Sequence, residues 1–449
     1  MKNIKKIAFC LGLVLLIGSC KKSEDLSKAV VGLGGDKWEK GTIDKYIADN
    51  FTGPYNIEVK YKWDRSEFNL TKDIVPIKEE MVIPAMDAVK RIWIEPYVDI
   101  AGETFIKKYS HKQFVLAGSA EYNSNGTITL GTAEGGRKVV LFVLNQFDKN
   151  NAPEIKRMLK TIHHEYGHIL NQNIMFTPDY AKITPADYTA TWFNFTDDVA
   201  YPLGFITSYA RAAPGEDFVE MVAVMLTNGK LGYEAIVRAQ TVAAQAKLRA
   251  KEAIVVNYYK QSWGIDFYRL RDRTQYAINN YSTPALLTTY LGFNKPFTNI
   301  NINPANTPGM SADYIAAVEA VKARFISDLG GSDVLDDISL HFGGIAGTSA
   351  TKAVLRLTTH DGAGGPYLSD FVFNVTTNAT TGRIAFTTMD TPLPTSNAGF
   401  YAPYVTALTN YFVNTAFNSG NFYSADKKTE YGGLTKVANS SSFTFGLVN

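Results

Sequence analysis

A histidine-rich stretch at residues 161–168, Thr-Ile-His-His-Glu-Tyr-Gly-His, constrains the fold of this chain more than any other. In a helix, residues three or four positions apart lie on one face, so the side chains of His164, Glu165 and His168 can converge on one point. The apolar residues of the same segment recur at helical spacing on the opposite face: Ile155, Met158, Leu159, Ile162, Tyr166 and Ile169. The stretch therefore predicts a helix at 152–171 that packs on one side and presents polar groups on the other.

The order of His164, Glu165 and His168 matches the short His-Glu-x-x-His motif of zinc hydrolases. In that motif the two histidines bind Zn²⁺ and the glutamate acts as a general base. The chain has only 6 histidines among 449 residues, so a chance match is a poor explanation. We predict one zinc ion bound by His164 and His168, with Glu165 as a catalytic residue.

The N-terminal residues have the pattern of an export signal. Basic residues precede an apolar stretch, which ends in the small residues Gly18 and Ser19 before Cys20. This junction resembles the lipobox of bacterial lipoproteins, in which the cysteine carries a lipid after cleavage. We predict a signal peptide at 1–19, and a lipid anchor with a flexible tether at 20–35. An ordinary signal peptide with an incidental cysteine is the alternative.

Charge gives no indication of nucleic-acid binding. The 45 basic and 43 acidic residues give a net charge of +2, and loss of the basic signal peptide would leave the chain nearly neutral. The membrane is therefore expected to hold this protein through the lipid rather than through a basic surface.

Cysteine is excluded as the third zinc ligand, because Cys10 would leave with the signal peptide and Cys20 would carry the lipid, so downstream glutamates and aspartates are the candidates. A catalytic zinc usually has three protein ligands and one open position. Glu216 and Glu220 lie four residues apart on one face of a helix predicted to open at Glu216. Spacing does not choose between them, and a helix also favours acidic residues in its first turn without any metal.

A resemblance over a longer stretch of sequence distinguishes Glu216 from Glu220. The motif is followed by Ser-Tyr-Ala-Arg at 208–211 and by Glu-Asp-Phe-Val-Glu at 216–220. Over roughly 156–226 this pattern resembles the protease domain of the anthrax lethal factor type, which is gluzincin-like. Alanine and valine replace the glycine and alanine of that pattern, and both changes are conservative.

The resemblance implies a role for each matching residue. Glu216 becomes the third zinc ligand, Tyr209 a phenol directed at the oxyanion, and Glu220 a carboxylate that contacts the ligands from behind. His163 lies about 100° around the helix from His164, so we predict that it is solvated or lies behind the ligands rather than binding the metal.

With its lipobox, the chain also resembles the zinc-binding metallopeptidase lipoproteins of Bacteroidetes, which are often encoded beside outer-membrane importers of the starch-utilisation type. This resemblance implies an outer-membrane lipoprotein that faces the periplasm or the cell surface. It also implies a peptide or glycopeptide substrate, with importer components as candidate partners.

The order of predicted elements favours an α+β fold. A helix, a strand, a helix and three strands precede the motif helix, which suits a zincin-like (gluzincin-type) catalytic domain at 36–292. The apolar strand at 139–144 should be central, and the strand at 127–130 should form the edge that pairs with an extended substrate. The aromatic segment at 176–204 is predicted to cover the core, with a wall of the active-site cleft as the alternative.

The C-terminal part differs in composition. Residues 293–333 are predicted to form a linker and a helix, and 334–449 a β-rich accessory domain, because apolar residues alternate there, as at Phe371, Phe373 and Val375. This domain would bind a ligand or partner, or would space the enzyme from the membrane.

Three functions fit these observations. The first is a lipid-anchored zinc metallopeptidase that cleaves peptide bonds with a zinc-activated water. The second is a non-catalytic, zinc-containing lipoprotein subunit of an outer-membrane importer of glycans or peptides, and the third is a hydrolase of another amide or ester. Glu165 and Tyr209 favour an enzyme, since a structural zinc site needs neither a base nor an open position.

Overall fold

The computed structural model describes residues 38–124, 126–129, 131–134, 138–303 and 309–449, with the backbone alone for 131–134. The predicted signal peptide, Cys20 and the tether lie outside the described residues. Residues 46–449 form one compact unit. Among the described residues, no helix combines the length and the apolar character needed to cross a bilayer.

Helices dominate the first two thirds of the chain. The α-helices of four or more residues are α1 Thr42–Ile47, α2 Glu79–Val89, α3 Glu95–Ala101, α4 Glu103–Tyr109, α5 Ala152–Asn173, α6 Asp197–Ala200, α7 Pro214–Arg238, α8 Val242–Trp263, α9 Phe267–Tyr281, α10 Ala312–Leu329, α11 Ser396–Tyr401 and α12 Thr406–Phe412. The motif helix α5 ends two residues beyond its predicted end. Its N-cap is Asn151, whose side chain accepts a hydrogen bond from the backbone N–H of Glu154 at 3.3 Å.

Strands form two main sheets. They are β1 Glu58–Lys60, β2 Gln113–Leu116, β3 Glu121–Tyr122, β4 Ile128–Thr129, β5 Gly131–Glu134, β6 Lys138–Leu141, β7 Asn299–Asn301, β8 Val334–Phe342, β9 Lys352–Asp361, β10 Gly364–Asn378, β11 Arg383–Met389, β12 Thr415–Tyr423, β13 Glu430–Lys436 and β14 Phe443–Val448.

The N-terminal sheet has the order β1-β2-β6-β5, so the apolar strand β6 is central, as predicted. The predicted edge strand is wrong. Ile128 pairs with Tyr122 in a separate two-stranded hairpin, and β5 forms the edge by running antiparallel to β6. The short connection explains the difference: the N–H of Asn123 donates to the carbonyl of Thr127 at 2.8 Å, which closes a local hairpin.

Helix α5 packs against the sheet and the neighbouring helices with the face that the sequence predicted. All six of its predicted apolar residues are buried. Tyr166 lies at the centre of an aromatic cluster, with its ring 5.2 Å from that of Trp93 and 5.0 Å from that of Tyr97, both edge to face. Aromatic pairs in this arrangement stabilise a core beyond their buried area, so the orientation of α5 is well defined.

The C-terminal strands close into an eight-stranded antiparallel barrel, in the order β10-β11-β12-β13-β14-β7-β8-β9. Its interior is apolar, and Leu340, Leu355 and Phe371 pair across three adjacent strands. Strand β7 comes from the segment predicted as a linker and pairs with both β14 and β8. Helices α10 and α12 pack onto the same core, where the rings of Tyr314 and Tyr411 lie 5.0 Å apart.

The structure is therefore α+β, with a largely helical N-terminal region and a C-terminal antiparallel sheet of eight strands. Direct contacts join the two. Lys230 on α7 donates to the carbonyl of Val448 at 2.8 Å, and the N–H of Glu430 donates to Asp272 on α9 at 3.2 Å.

Candidate metal centre

Three side chains from two helices meet at one point. Helix α5 supplies His164 and His168, and the first turn of α7 supplies Glu216. The Nε2 atom of His164 lies 3.2 Å from Nε2 of His168 and 3.1 Å from Oε2 of Glu216. The third side of the triangle, from His168 Nε2 to Glu216 Oε2, is 3.3 Å. These three residues could hold a metal ion.

The size of this triangle fits zinc. Ligand atoms at 2.0–2.1 Å from a tetrahedral Zn²⁺ are roughly 3.3–3.4 Å apart, which is close to the three distances here. Two imidazole nitrogens and one carboxylate oxygen are also a donor set that zinc enzymes use, with one position left for water or substrate.

The close packing of α5 and α7 brings the three ligands together. A Cβ atom at Gly167 would lie 2.8 Å from Cγ1 of Val219, so no side chain fits between the helices at this point. Helix α7 begins at Pro214, two residues before the predicted start, and proline is favoured at the first helical position. Glu216 is thereby placed in the first turn of α7, facing α5.

Glu220 lies one turn further along α7 and contacts the other side of His164. The Nδ1–H group of His164 donates to Glu220 Oε1 at 2.9 Å. The second oxygen of Glu220 accepts from the hydroxyl of Thr207 at 2.6 Å and lies 2.7 Å from Nζ of Lys160. A carboxylate in this position fixes the tautomer of the imidazole and directs Nε2 toward the metal site.

The charges of the site favour a cation. Burial by itself would raise the pKa of Glu220, but Lys160 and His164 lower it to about 2. Burial would lower the pKa of His164, whereas its contacts with Glu216 and Glu220 raise it to about 10. The two carboxylates therefore stabilise positive charge at this point, and a divalent metal ion provides such charge.

A cavity of about 580 Å³ opens beside the centre and is lined in part by Glu165, Tyr209 and Trp192. The ring of Tyr209 lies 5.6 Å from that of His164, and the ring of Trp192 lies 4.7 Å from that of Tyr209. Burial and the Glu216 carboxylate raise the pKa of Tyr209, so its phenol is a hydrogen-bond donor. A substrate in this cavity would contact the carboxylate, the phenol and the metal site together.

A protein-family model described as "Putative zinc-binding metallo-peptidase" matches residues 36–268, which is just over half of the chain. The chain belongs to this family. A crystal structure described as a putative zinc-binding metallo-peptidase from Bacteroides caccae is also similar. It is 34% identical, with a TM-score of 0.46, and the match covers 53% of this chain and 90% of that chain. No curated protein matches the chain.

The matched family region contains every predicted site residue except Cys20, but the structure does not bring all of them together. His163 is fully buried beside Tyr97, with their rings 6.0 Å apart, and neither of its nitrogens has a hydrogen-bond partner among the described residues. Burial lowers its pKa to about 3. The angle of about 100° from His164 turns this side chain toward the packed face of α5, away from solvent and from the ligands.

Sequence reasoning missed Lys160 and Thr207, which both contact Glu220. The spacing of Lys160, four residues before His164, was a usable signal because it places the lysine on the metal-binding face of the helix. Thr207 comes from a loop and had no local signal. The structure also places Trp192 at the wall of the cavity, which is the alternative role of the aromatic segment.

Other aromatic residues of that segment differ: Phe176 and Tyr180 are buried as predicted, whereas Phe193 and Phe195 are exposed. The ring of Phe176 stacks on Phe218 at 4.3 Å. The hydroxyl of Tyr188 donates to Asp217 at 2.9 Å, and Asp217 also forms an ion pair of 2.6 Å with Lys251, in which both side chains are fully buried. These contacts tie the segment to the first turn of α7, which carries Glu216.

Proposed function

We propose that this protein is a zinc-dependent metallopeptidase of the gluzincin type, which hydrolyses peptide bonds with an activated water. The observation that carries the proposal is the triangle of His164, His168 and Glu216, whose sides of 3.1–3.3 Å suit zinc, next to Glu165 in an open cavity. A structural zinc site would need neither the carboxylate nor the cavity. The family description implies peptide substrates, and a glycopeptide offers the same bond.

Each residue has a chemical task in this proposal. When bound, the zinc ion would polarise the substrate carbonyl and lower the pKa of water at the site. Glu165 would accept the proton of the attacking water and pass it to the leaving amine. The phenol of Tyr209 would donate a hydrogen bond to the carbonyl oxygen as that oxygen becomes negative. Glu220 would hold His164 in the required tautomer.

The decisive test is the Glu165→Gln variant, which keeps the shape of the side chain and removes the base. We expect peptide cleavage by the zinc-loaded protein to fall by about 10²–10⁴-fold, because general-base catalysis contributes that much. Zinc content, measured by elemental analysis, should stay at one ion per chain. Cleavage of a peptide library is followed by mass spectrometry, with and without a chelator.

The matched control is Glu319→Gln, an exposed glutamate on α10 paired with Lys322. It should cleave like the wild type. Cleavage that survives both the chelator and Glu165→Gln would contradict the proposal, and so would a wild type that binds zinc but cleaves no peptide.

We also propose that Cys20 is lipidated and holds the enzyme at the outer membrane, facing the periplasm or the cell surface, near importer components. The lipobox-like residues before Cys20 support this location. In cells, Cys20→Ala should move the protein from the membrane fraction to the soluble fraction and abolish labelling by a fatty-acid probe. Unchanged membrane association of the variant would contradict the lipid anchor.

A further inference from the structure

A row of basic side chains leads away from the metal centre along α5. Lys156, Lys160, His164 and His168 follow one another at intervals of four residues, so they share one face of the helix. Lys156, Lys160 and His164 all line the cavity of about 580 Å³. The cavity thus extends from the metal site toward the N-terminal end of the helix.

The cations of this cavity differ in their partners. Lys160 forms an ion pair with Glu220 at 2.7 Å, and Arg157 forms one with Glu154 at 2.6 Å. Lys156 has neither an ion pair nor a hydrogen bond with any of the residues described. Glu430 of the barrel faces it across a smaller cavity, farther away than the 4.0 Å of an ion pair.

Lys156 is also half-buried, and its loss of water is not offset by a close carboxylate. This burial lowers its pKa, and Glu430 opposes the effect only partly. A partly buried ammonium group without a close counter-charge is unfavourable. An anion that entered the cavity would therefore meet, in Lys156, an ammonium group that is already partly dehydrated.

The other groups of the wall place opposite charges at the two ends of the cavity. Glu165 and Glu220 lie at the metal end, whereas Lys156 lies about two helical turns away, with neutral Asn123, Thr227 and Asn228 also in the lining. Lys160 and Arg157 are already paired with carboxylates, so an acidic group on a substrate would find an unpaired cation of this wall at Lys156.

We propose that Lys156 binds a carboxylate of the substrate and so makes this enzyme selective for acidic peptides. This inference rests on the proposed peptidase function. Lys156 and His164 are about 12 Å apart along the helix, and an extended peptide covers about 3.3 Å per residue. The carboxylate should thus lie within about four residues of the cleaved bond, either on an aspartate or glutamate side chain or at the C-terminus of the peptide.

Matched peptides test the proposal. The probes are fluorescein-labelled nine-residue peptides of alanine and leucine, amidated at the C-terminus, with Glu or Gln at one position at a time. A second set has no acidic residue and a free C-terminal carboxylate. Cleavage gives kcat/KM for the zinc-loaded enzyme, and fluorescence anisotropy gives Kd for the zinc-loaded Glu165→Gln variant, which binds without turnover.

We expect glutamate at a favoured position to raise kcat/KM and to tighten Kd by about tenfold over glutamine, as for a partly desolvated ion pair. Lys156→Met, which keeps the aliphatic chain, should remove this preference without changing the zinc content or lowering the Tm. Lys156→Glu should reverse it in favour of a matched lysine peptide. Lys182→Met, which removes a 73% exposed charge paired with Asp179, should keep it.

The proposal would be overturned if the wild type gave equal values for the Glu and Gln peptides and also for free and amidated C-termini, or if a preference survived Lys156→Met. If only the free C-terminal carboxylate, compared with the amidated C-terminus, raises kcat/KM and tightens Kd, the bound carboxylate is that of the peptide terminus. If peptides are cleaved without preference, this inference fails while the peptidase function stands. If Kd shows the preference but nothing is cleaved, the function fails while the carboxylate site stands.

Discussion

The helices around the metal centre and the C-terminal barrel are stabilised in different ways. The barrel has a continuous apolar core, to which many side chains such as Leu355 each contribute a part. Between α5, α7 and α8, by contrast, carboxylates are buried beside cations: Asp217 pairs with Lys251, which is also buried, and Glu220 with Lys160, which is partly exposed. Removing one partner leaves a buried charge, so the metal-bearing region should depend on single residues far more than the barrel does.

The largest effect is expected at Lys251, where Lys251→Met leaves Asp217 without its counter-ion. Breaking a buried pair in this way costs about 3–5 kcal/mol of unfolding free energy, which denaturant unfolding can measure. Adding Asp217→Asn should recover part of the loss. Lys322→Met, which breaks an exposed pair with Glu319, should change stability by about 0.5 kcal/mol or less. Equal losses in Lys251→Met and Lys322→Met would refute the contrast.

A second prediction separates the two regions by zinc binding. Glu220→Gln removes the charge that holds His164, and such a change weakens metal affinity by about 10–100-fold. Competition with a chromogenic chelator measures this Kd. Leu355→Ala should lower stability by about 2–5 kcal/mol, because it leaves a cavity in the barrel, yet bind zinc like the wild type. A Kd that rises equally in both variants would mean that the barrel supports the metal centre directly.

The smallest effect concerns His111, which is fully buried between the rings of Trp93 and Phe114. Burial lowers its pKa to about 3, against about 6.5 in the unfolded chain. Between these values only the unfolded state takes up the proton, so stability falls as the pH falls below about 6.5. The wild type should therefore lose unfolding free energy between about pH 7 and pH 5.5, and His111→Phe should make this loss smaller by about 1 kcal/mol. Parallel pH profiles would contradict this assignment.

Sequence patterns predicted what depends on local spacing. The motif helix, its buried face and the central position of β6 follow from periodicities that a short stretch of chain contains. The convergence of His164 and His168 follows in the same way, because they lie one turn apart. Glu216 was named only through a longer resemblance, since its approach to the histidines depends on how two helices pack.

Other features depended on contacts between distant segments. Strand β7 is three residues long and lies in an Asn- and Pro-rich segment, so its place in the barrel is decided by its partners β8 and β14. The interaction of Thr207 with Glu220 joins a loop to a helix across 13 residues. His163 shows the opposite case. It is adjacent to the motif in sequence, yet it packs against Tyr97 in the core and not beside the metal ligands.

The contact between Gly167 and Val219 sets more than the distance between two helices. Because it fixes how far Glu216 lies from His164 and His168, it also keeps the three donor atoms close enough to bind one ion. Two of these donors are imidazole nitrogens, which suit zinc, whereas Ca²⁺ takes oxygen ligands. The smallest residue of the motif, which binds nothing itself, thereby contributes to metal binding.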